Sequence, residues 1–134
     1  MNWYGDGASA SIDESLASSI TTSVARRDEI VLLAVGGDVD LSTAPALEKA
    51  IDAVLIGRPW AFIIDLSAVE FLGSAGLKLL FAANGKAEIP GRFGVVANNS
   101  AARRPIEVTE LDQFVSLFTT LEDALKALRG DTVG

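Results

Sequence analysis

The chain has 134 residues, of which 49% are hydrophobic and 22% charged, a composition that predicts one folded domain with a single core. Its formal net charge of −7 disfavours nucleic acid and anionic membranes as partners, because such surfaces are bound by clustered Lys and Arg. Histidine and cysteine are absent, which excludes histidine-based triads, thiolate chemistry and most zinc sites. We therefore expect no enzyme, no cofactor and no metal, and the lack of cysteine and of a long apolar run favours a cytoplasmic location.

The amino-terminal part predicts a tail followed by a hairpin. Residues 1–18 are rich in Ser, Ala, Gly and Asp without a period, which is typical of a mobile tail. Alternation over 20–24 predicts an edge strand exposed on one face, and the apolar run 30–35 predicts a strand buried on both faces. The polar turn 26–29 between them indicates an antiparallel pair.

A crossover helix is predicted next. Ser42 or Thr43 can cap it, and Pro45 falls in its first turn, where the missing N–H costs little. Its inward stripe follows helical spacing and consists of Leu47, Ala50, Ile51, Val54 and Leu55. Residues 60–64 then predict a buried strand, which the crossover makes parallel to the preceding strand.

A short loop leads from that strand to a second helix that begins near Ser74. The inward stripe of this helix is predicted to be Leu77, Leu80 and Phe81. Residues 93–97 predict a third parallel strand. The range 105–110 predicts a short helix that begins at its proline, and 114–118 predicts a last, short strand.

The closing helix has Thr119 and Glu122 in capping-box spacing and ends at Gly130. Together these elements predict the α/β class: one domain over 19–129, with a mixed sheet of four to five strands, alternating helices and a short tail 130–134. In such sheets, functional residues collect at the carboxyl ends of the parallel strands.

Ser74 is the main candidate site residue. It lies between Gly73 and Gly76 at the predicted helix start, where a serine hydroxyl can cap the helix for about 1 kcal/mol. A helix start also carries free N–H groups and the positive end of the dipole, which would accommodate a phosphate added to the hydroxyl. The residues alone leave capping and reversible phosphorylation open.

The other polar candidates point to structure or contact rather than to catalysis. Asp38 and Asp40 are typical turn formers, and no third ligand or histidine lies near them to build a metal or acid–base site. They are expected to be polar contacts beside Ser74. Asp65, at a strand end, is expected to bond the following loop, and Lys78 is expected at the surface rather than as a base for Ser74.

Two segments resemble the two signatures of STAS domains, namely 37–47 (GDVDLSTAPAL) and 65–77 (DLSAVEFLGSAGL). The shorter stretches 103–106, 111–112 and 121–125 resemble the carboxyl-terminal part of these domains. The resemblance covers about 19–129 and is nearest to the anti-sigma factor antagonists of actinobacterial type.

This resemblance implies a protein switch. Such antagonists bind an anti-sigma factor, typically a serine kinase of the GHKL ATPase fold, and so release a sigma factor for transcription. The kinase phosphorylates a serine at the helix start, which breaks the complex, and a phosphatase restores it. The resemblance places that serine at Ser74 and the partner-facing loop aspartate at Asp40. The predicted partner-binding residues are Asp38, Asp40, Ser42, Thr43, Gly73, Ser74, Ala75, Gly76 and Lys78.

The chain departs from the family pattern beside the serine. The family often has Asp before it and usually Ser after it, whereas this chain has Gly73 and Ala75. Ala75 leaves Ser74 as the only hydroxyl in the turn, and Gly73 removes a carboxylate that could organise phosphotransfer. Two alternatives therefore stay open: a STAS interaction module that works without phosphorylation, and a small-ligand or nucleotide sensor.

Overall fold

The computed structural model describes residues 19–87 and 92–129, so the predicted tails 1–18 and 130–134 lie outside the described residues. The strands are β1 (Ile20–Arg27), β2 (Ile30–Val39), β3 (Ala61–Leu72), β4 (Phe93–Val96) and β5 (Ser116–Phe118). The helices are α1 (Ala44–Ile56), α2 (Ser74–Lys86), α3 (Ser100–Val108) and α4 (Leu121–Arg129), with a 3-10 turn at Leu111–Gln113. The five strands form one sheet in sequence order. Since β1 is antiparallel to β2 and the other pairs are parallel, the predicted mixed α/β sheet is confirmed.

The described helices cover the two faces of the sheet unequally. α1, α2 and α3 pack on one face, where Leu33, Leu47 and Leu80 are fully buried in the larger core. α4 packs on the other face against Ile30 and Ile63. Each such side chain stabilises the fold by about 1.5–3 kcal/mol relative to exposure. This burial fixes α1 and α2, the two helices that border the candidate site.

β1 is longer and more exposed than predicted. The strand continues through Arg27, and the tight turn is made by Asp28, in the left-handed region at φ 59°, and Glu29. The expectation of one exposed face is wrong, because 21–27 are exposed on both faces. The reason is position: β1 is an edge strand, and the described helices pack mainly over the strands beyond it.

The loop predicted after residue 64 is instead part of a strand. β3 continues to Leu72, and its pairing with β2 survives two register shifts, one between Ala34 and Gly36 and one between Gly37 and Asp38. Such bulges bend a strand and change the direction of the residues beyond them. The paired ends of β2 and β3 therefore leave the sheet side by side.

Side chains hold this irregular half of β3 in place. Asp65 Oδ1 accepts hydrogen bonds from Ser67 N at 3.0 Å and from Ser67 Oγ at 2.6 Å, which confirms its predicted structural role. Asn99 Nδ2 donates to Ser67 O at 2.7 Å, and Asn99 Oδ1 accepts from Ala102 N at 2.8 Å. Asn99 thus caps α3 and ties it to β3. This cap explains why α3 begins at Ser100, five residues before the predicted start.

Two further local predictions are corrected. α4 is capped by Thr120, whose Oγ1 accepts from Asp123 N at 3.0 Å, and not by Thr119. Arg26 and Arg27 lie in β1 rather than in the predicted polar turn, and Arg103 and Arg104 lie in α3. Arg103 donates to Ala97 O at 2.7 Å and so joins α3 to the end of β4.

Two glycines of α2 give a matched test of this packing. A Cβ on Gly76 would lie 2.6 Å from both Val39 Cγ1 and Leu72 Cδ1, whereas a Cβ on Gly85 would meet nothing within 4 Å. We expect Gly85→Ala to raise the free energy of unfolding by about 0.5 kcal/mol through helix propensity. Gly76→Ala should lower it by about 1 kcal/mol, because overpacking against a β-branched side chain outweighs the same gain. Urea denaturation measures both, and two changes of the same sign would contradict the packing described for Gly76.

Candidate functional site

The candidate site lies where the ends of β2 and β3 meet. Asp38 pairs with Phe71 and Val39 with Leu72, and Gly73 N donates to Val39 O at 2.9 Å. The loop after β2 and the start of α2 therefore adjoin at the carboxyl end of two central parallel strands, where α/β sheets place their sites. The structure brings together the two segments that the sequence separates by some thirty residues.

The loop after β2 is held by its own side chains. Asp40 Oδ1 accepts from Ser42 N at 3.0 Å, from Thr43 N at 3.1 Å and from Ser42 Oγ at 2.8 Å. Thr43 Oγ1 donates to Asp38 O at 2.7 Å and accepts from Asp40 N at 2.9 Å. Thr43 is the N-cap residue of α1, yet its hydroxyl serves the loop rather than the helix. The result is a braced turn that exposes Leu41 at its tip, with 83% of that residue accessible.

Ser74 is the first residue of α2, and Gly73 is the N-cap residue, in an extended conformation. The capping interpretation of the Ser74 hydroxyl is therefore wrong. Within the described part of the chain, no hydrogen bond is made by the Ser74 hydroxyl or by the backbone N–H groups of Ser74 and Ala75. The side chain is exposed, so it offers a free hydroxyl beside free N–H donors at the positive end of a helix.

The exposed face of α2 continues the surface from Ser74. Lys78 and Phe81 follow at helical spacing and are both exposed. The prediction that Phe81 faces inward is wrong, because 54% of it is accessible. Its ring lies edge-on to Phe114, which is 62% accessible, with 5.7 Å between the ring centroids. Asn84 Nδ2 donates to Phe114 O at 3.0 Å and braces the pair.

The sequence reasoning missed this aromatic pair for an identifiable reason. The buried positions of α2 are Gly76, Leu80 and Ala83, so the inward face contains Leu80 and not its neighbour Phe81. Because one of these positions is a glycine, the spacing of large apolar residues did not predict this face. The spacing of Phe81 from Ser74 and Lys78, which are both polar, was the available signal.

Most of the predicted partner-binding residues lie together at this end of the domain, at least partly accessible: Asp38, Asp40, Ser42, Gly73, Ser74, Ala75 and Lys78. Thr43 and Gly76 lie beneath them. Thr43 is only 5% accessible, and Gly76 packs closely on Val39 and Leu72. These two residues shape the surface rather than line it.

The chemistry of the site fits contact with a protein and with an anion. Across residues 19–87 and 92–129, no group of three His, Cys, Asp or Glu side chains is placed to hold a metal ion. In the same ranges, no helix has the length and apolar character needed to cross a membrane. What the site does offer is exposed apolar groups, namely Leu41, Phe71 and Phe81, on the same surface as the Ser74 hydroxyl, which forms no hydrogen bond with the described residues.

This α/β domain, with a helix-start serine beside a braced loop, has the architecture of STAS domains. The sequence model of the STAS domain matches residues 21–124, and the chain belongs to this family. It is 50% identical over 119 residues to the anti-sigma-F factor antagonist RsfB of Mycobacterium tuberculosis, an alignment that covers 89% of this chain and 98% of the relative. These findings confirm the resemblance drawn from the two sequence segments.

Solved structures agree with the fold. The crystal structure of an anti-sigma factor antagonist from Mycobacterium paratuberculosis is 53% identical, with a TM-score of 0.80 over 83% of this chain and 95% of that one. The Bacillus protein SpoIIAA in its phosphorylated form is 19% identical, with a TM-score of 0.59 over 85% of this chain and 100% of that one. At that identity, the second likeness shows a shared fold.

The braced loop yields a testable pair of variants. Thr43→Val keeps the shape of a buried side chain but removes the hydroxyl that bonds Asp38 O and Asp40 N. We expect it to lower the free energy of unfolding by about 1–3 kcal/mol, because buried polar groups lose their partner. Ser42→Ala, at an exposed position one residue earlier, should change it by less than about 0.5 kcal/mol. Chemical denaturation gives both values, and equal effects would show that the Thr43 hydroxyl does not hold the loop.

Proposed function

We propose that this protein is an anti-sigma factor antagonist that binds an anti-sigma factor and so releases a sigma factor for transcription, in the cytoplasm. Two relatives that are named as anti-sigma factor antagonists are 50% and 53% identical to this chain, and the alignments cover most of both chains. The binding surface is the loop 38–42 together with the exposed face of α2. The observation that carries the proposal is the exposed Ser74 hydroxyl at the first residue of that helix, which forms no hydrogen bond with any described residue.

Phosphorylation of Ser74 is the proposed switch, and the partner is a serine kinase of the GHKL type that a phosphatase opposes. The kinase transfers the γ-phosphoryl group of ATP to Ser74 Oγ, with ADP as the leaving group. The added charge of about −1.5 to −2 falls beside the free N–H groups of Ser74 and Ala75 and one turn from Lys78. The fold therefore tolerates the phosphate.

The partner interface does not tolerate it in the same way. A surface packed against Ser74 would have to strip water from a doubly charged group, which is strongly unfavourable without a dedicated cation. The exposed apolar side chains around the serine, Leu41 and Phe71 among them, require a dry contact to contribute affinity. A phosphate on Ser74 therefore opposes apolar contact between this surface and a partner.

The aromatic pair extends this surface. Phe81 lies seven residues after Ser74, about 10 Å along the helix axis. Exposed aromatic rings held in a fixed arrangement are the usual anchors of protein interfaces. We place the Phe81–Phe114 pair inside the contact with the anti-sigma factor, at the end of the surface away from the loop.

The first test uses Ser74 variants with the purified anti-sigma factor kinase. Ser74→Asp should weaken binding at least tenfold, because it places a charge where the interface requires none. Ser74→Ala should bind as well as the wild type and should resist dissociation by ATP. Isothermal titration calorimetry, with and without ATP, measures both, and mass spectrometry should find one added phosphate on the wild type only.

The same experiment separates the proposal from the phosphorylation-independent alternative. If Ser74→Asp and Ser74→Ala bind equally and no phosphate is added, the protein is an interaction module without this switch. If neither variant nor the wild type binds the anti-sigma factor, the antagonist function itself is wrong.

The second test concerns the aromatic pair. Phe81→Ala and Phe114→Ala should each weaken anti-sigma factor binding by about 10- to 30-fold, the range expected when an interface anchor is truncated. Ile56→Ala is the control, since Ile56 is 82% accessible but lies at the far end of α1. A control as damaging as the Phe variants would show that affinity does not depend on this surface.

A further inference from the structure

The end of the domain opposite Ser74 contains a cleft of about 820 Å³. It lies between the carboxyl-terminal ends of α1 and α2 and the starts of β3 and β4. Its floor is apolar and buried, formed by Ala61 and Phe62, and Leu55 and Ile56 form part of one wall. Small-molecule sites commonly enclose about 300–1,000 Å³, so the cleft has the size of such a site.

Among the described residues that line this cleft, positive charge predominates. Arg58, Lys86 and Arg92 line it together with one carboxylate, that of Asp52. Lys86 Nζ lies 3.1 Å from Asp52 Oδ1, so these two charges offset each other. Among the described residues, neither Arg58 nor Arg92 forms an ion pair. The helix ends contribute about half a negative charge each, which leaves an excess of positive charge in a chain whose net charge is −7.

Arg92 is held in a geometry that leaves its hydrogen-bond donors available. Its Cζ lies 4.0 Å above the ring of Trp60, a cation–π contact that uses the face of the guanidinium group. The N–H donors lie along the edge of that group and match a carboxylate or phosphate in a bidentate arrangement. A guanidinium already fixed on an aromatic ring loses little conformational entropy when it binds such an anion.

The backbone conformation at Arg58 does not favour an arginine. Its φ is +50°, in the left-handed region, where glycine or asparagine would be relaxed and an arginine is strained. Beside it, Ile56 is 82% accessible and Pro59 also lines the cleft. The site therefore combines an exposed apolar wall with two cations that form no ion pair with the described residues.

We propose that this cleft binds a small amphipathic anion, a carboxylate or phosphate monoester that carries an apolar group. The anionic head would contact Arg58 and Arg92, and the apolar group would cover Leu55 and Ile56. The cleft and Ser74 lie at opposite ends of α2, about 20 Å apart along its 13 residues. The site is therefore independent of the proposed contact with the anti-sigma factor.

Fluorescence of Trp60 in a Trp3→Phe variant, which leaves it as the only tryptophan, tests the proposal. Octanoate and octyl phosphate are the probes. Octanol tests the need for charge, and acetate and inorganic phosphate test the need for the apolar group. We expect saturable changes in fluorescence with octanoate, octyl phosphate or both, and at least tenfold weaker binding of the other three compounds. Whichever of these two probes binds more tightly identifies the preferred head group.

Single-site variants locate the binding. Arg58→Asn removes a cation and suits the left-handed backbone, so it should fold at least as well as the wild type yet bind the tighter of the two probes at least fivefold more weakly. Arg92→Gln should also weaken binding at least fivefold. Arg104→Gln, an equal loss of charge at an exposed position of α3, should leave binding unchanged. Absence of saturable binding, equal binding of octanol, or an equal loss in Arg104→Gln would each overturn the proposal. Anti-sigma factor binding by Arg58→Asn should match the wild type, which keeps the two proposals separate.

Discussion

The parallel pairing of β2 with β3 up to its last residues is the constraint on which the site depends. Beyond the two register shifts, Val39 pairs with Leu72 and then accepts a hydrogen bond from Gly73 N. Without this continuation, β3 would end near Asp65 and α2 would start elsewhere. Because the pairing persists, the turn braced by Asp40 lies against the first residue of α2. The surface that we propose for a protein partner is thereby built from two segments that are distant in sequence.

The two faces of α2 have different surroundings. Gly76, Leu80 and Ala83 are buried and hold the helix on the sheet, while Ser74 and the residues that follow it on the outer face are exposed. A phosphate on the outer face would change the surface without disturbing the core. The helix also connects the two ends of the domain, since its last turn carries Lys86 at the cationic cleft. The same helix thus positions Ser74 at one end of the domain and Lys86 at the other.

Local patterns in the sequence were sufficient for much of this description. Helical spacing of apolar residues predicted α1, and Leu47, Ile51 and Val54 are its buried residues. The apolar run 30–35 predicted the core of β2, and the glycine-flanked Ser74 predicted the start of α2. These signals succeed because secondary-structure periodicity and helix boundaries depend on residues only a few positions apart. The family resemblance rests on the same local segments.

Other features depend on residues far apart in the chain, and only the tertiary structure decided them. The stretch 66–72, where the sequence predicts a loop, is strand because β2 supplies its hydrogen bonds and Asn99, more than thirty residues on, bonds Ser67. Phe81 is exposed because the close approach of Gly76 to β2 and β3 sets the rotation of α2 on the sheet. By itself, the sequence determined the fold class and the serine at a helix start. The rotation of α2 and the exposure of β1 were decided by packing, because burial there depends on contacts between elements and not on a local pattern.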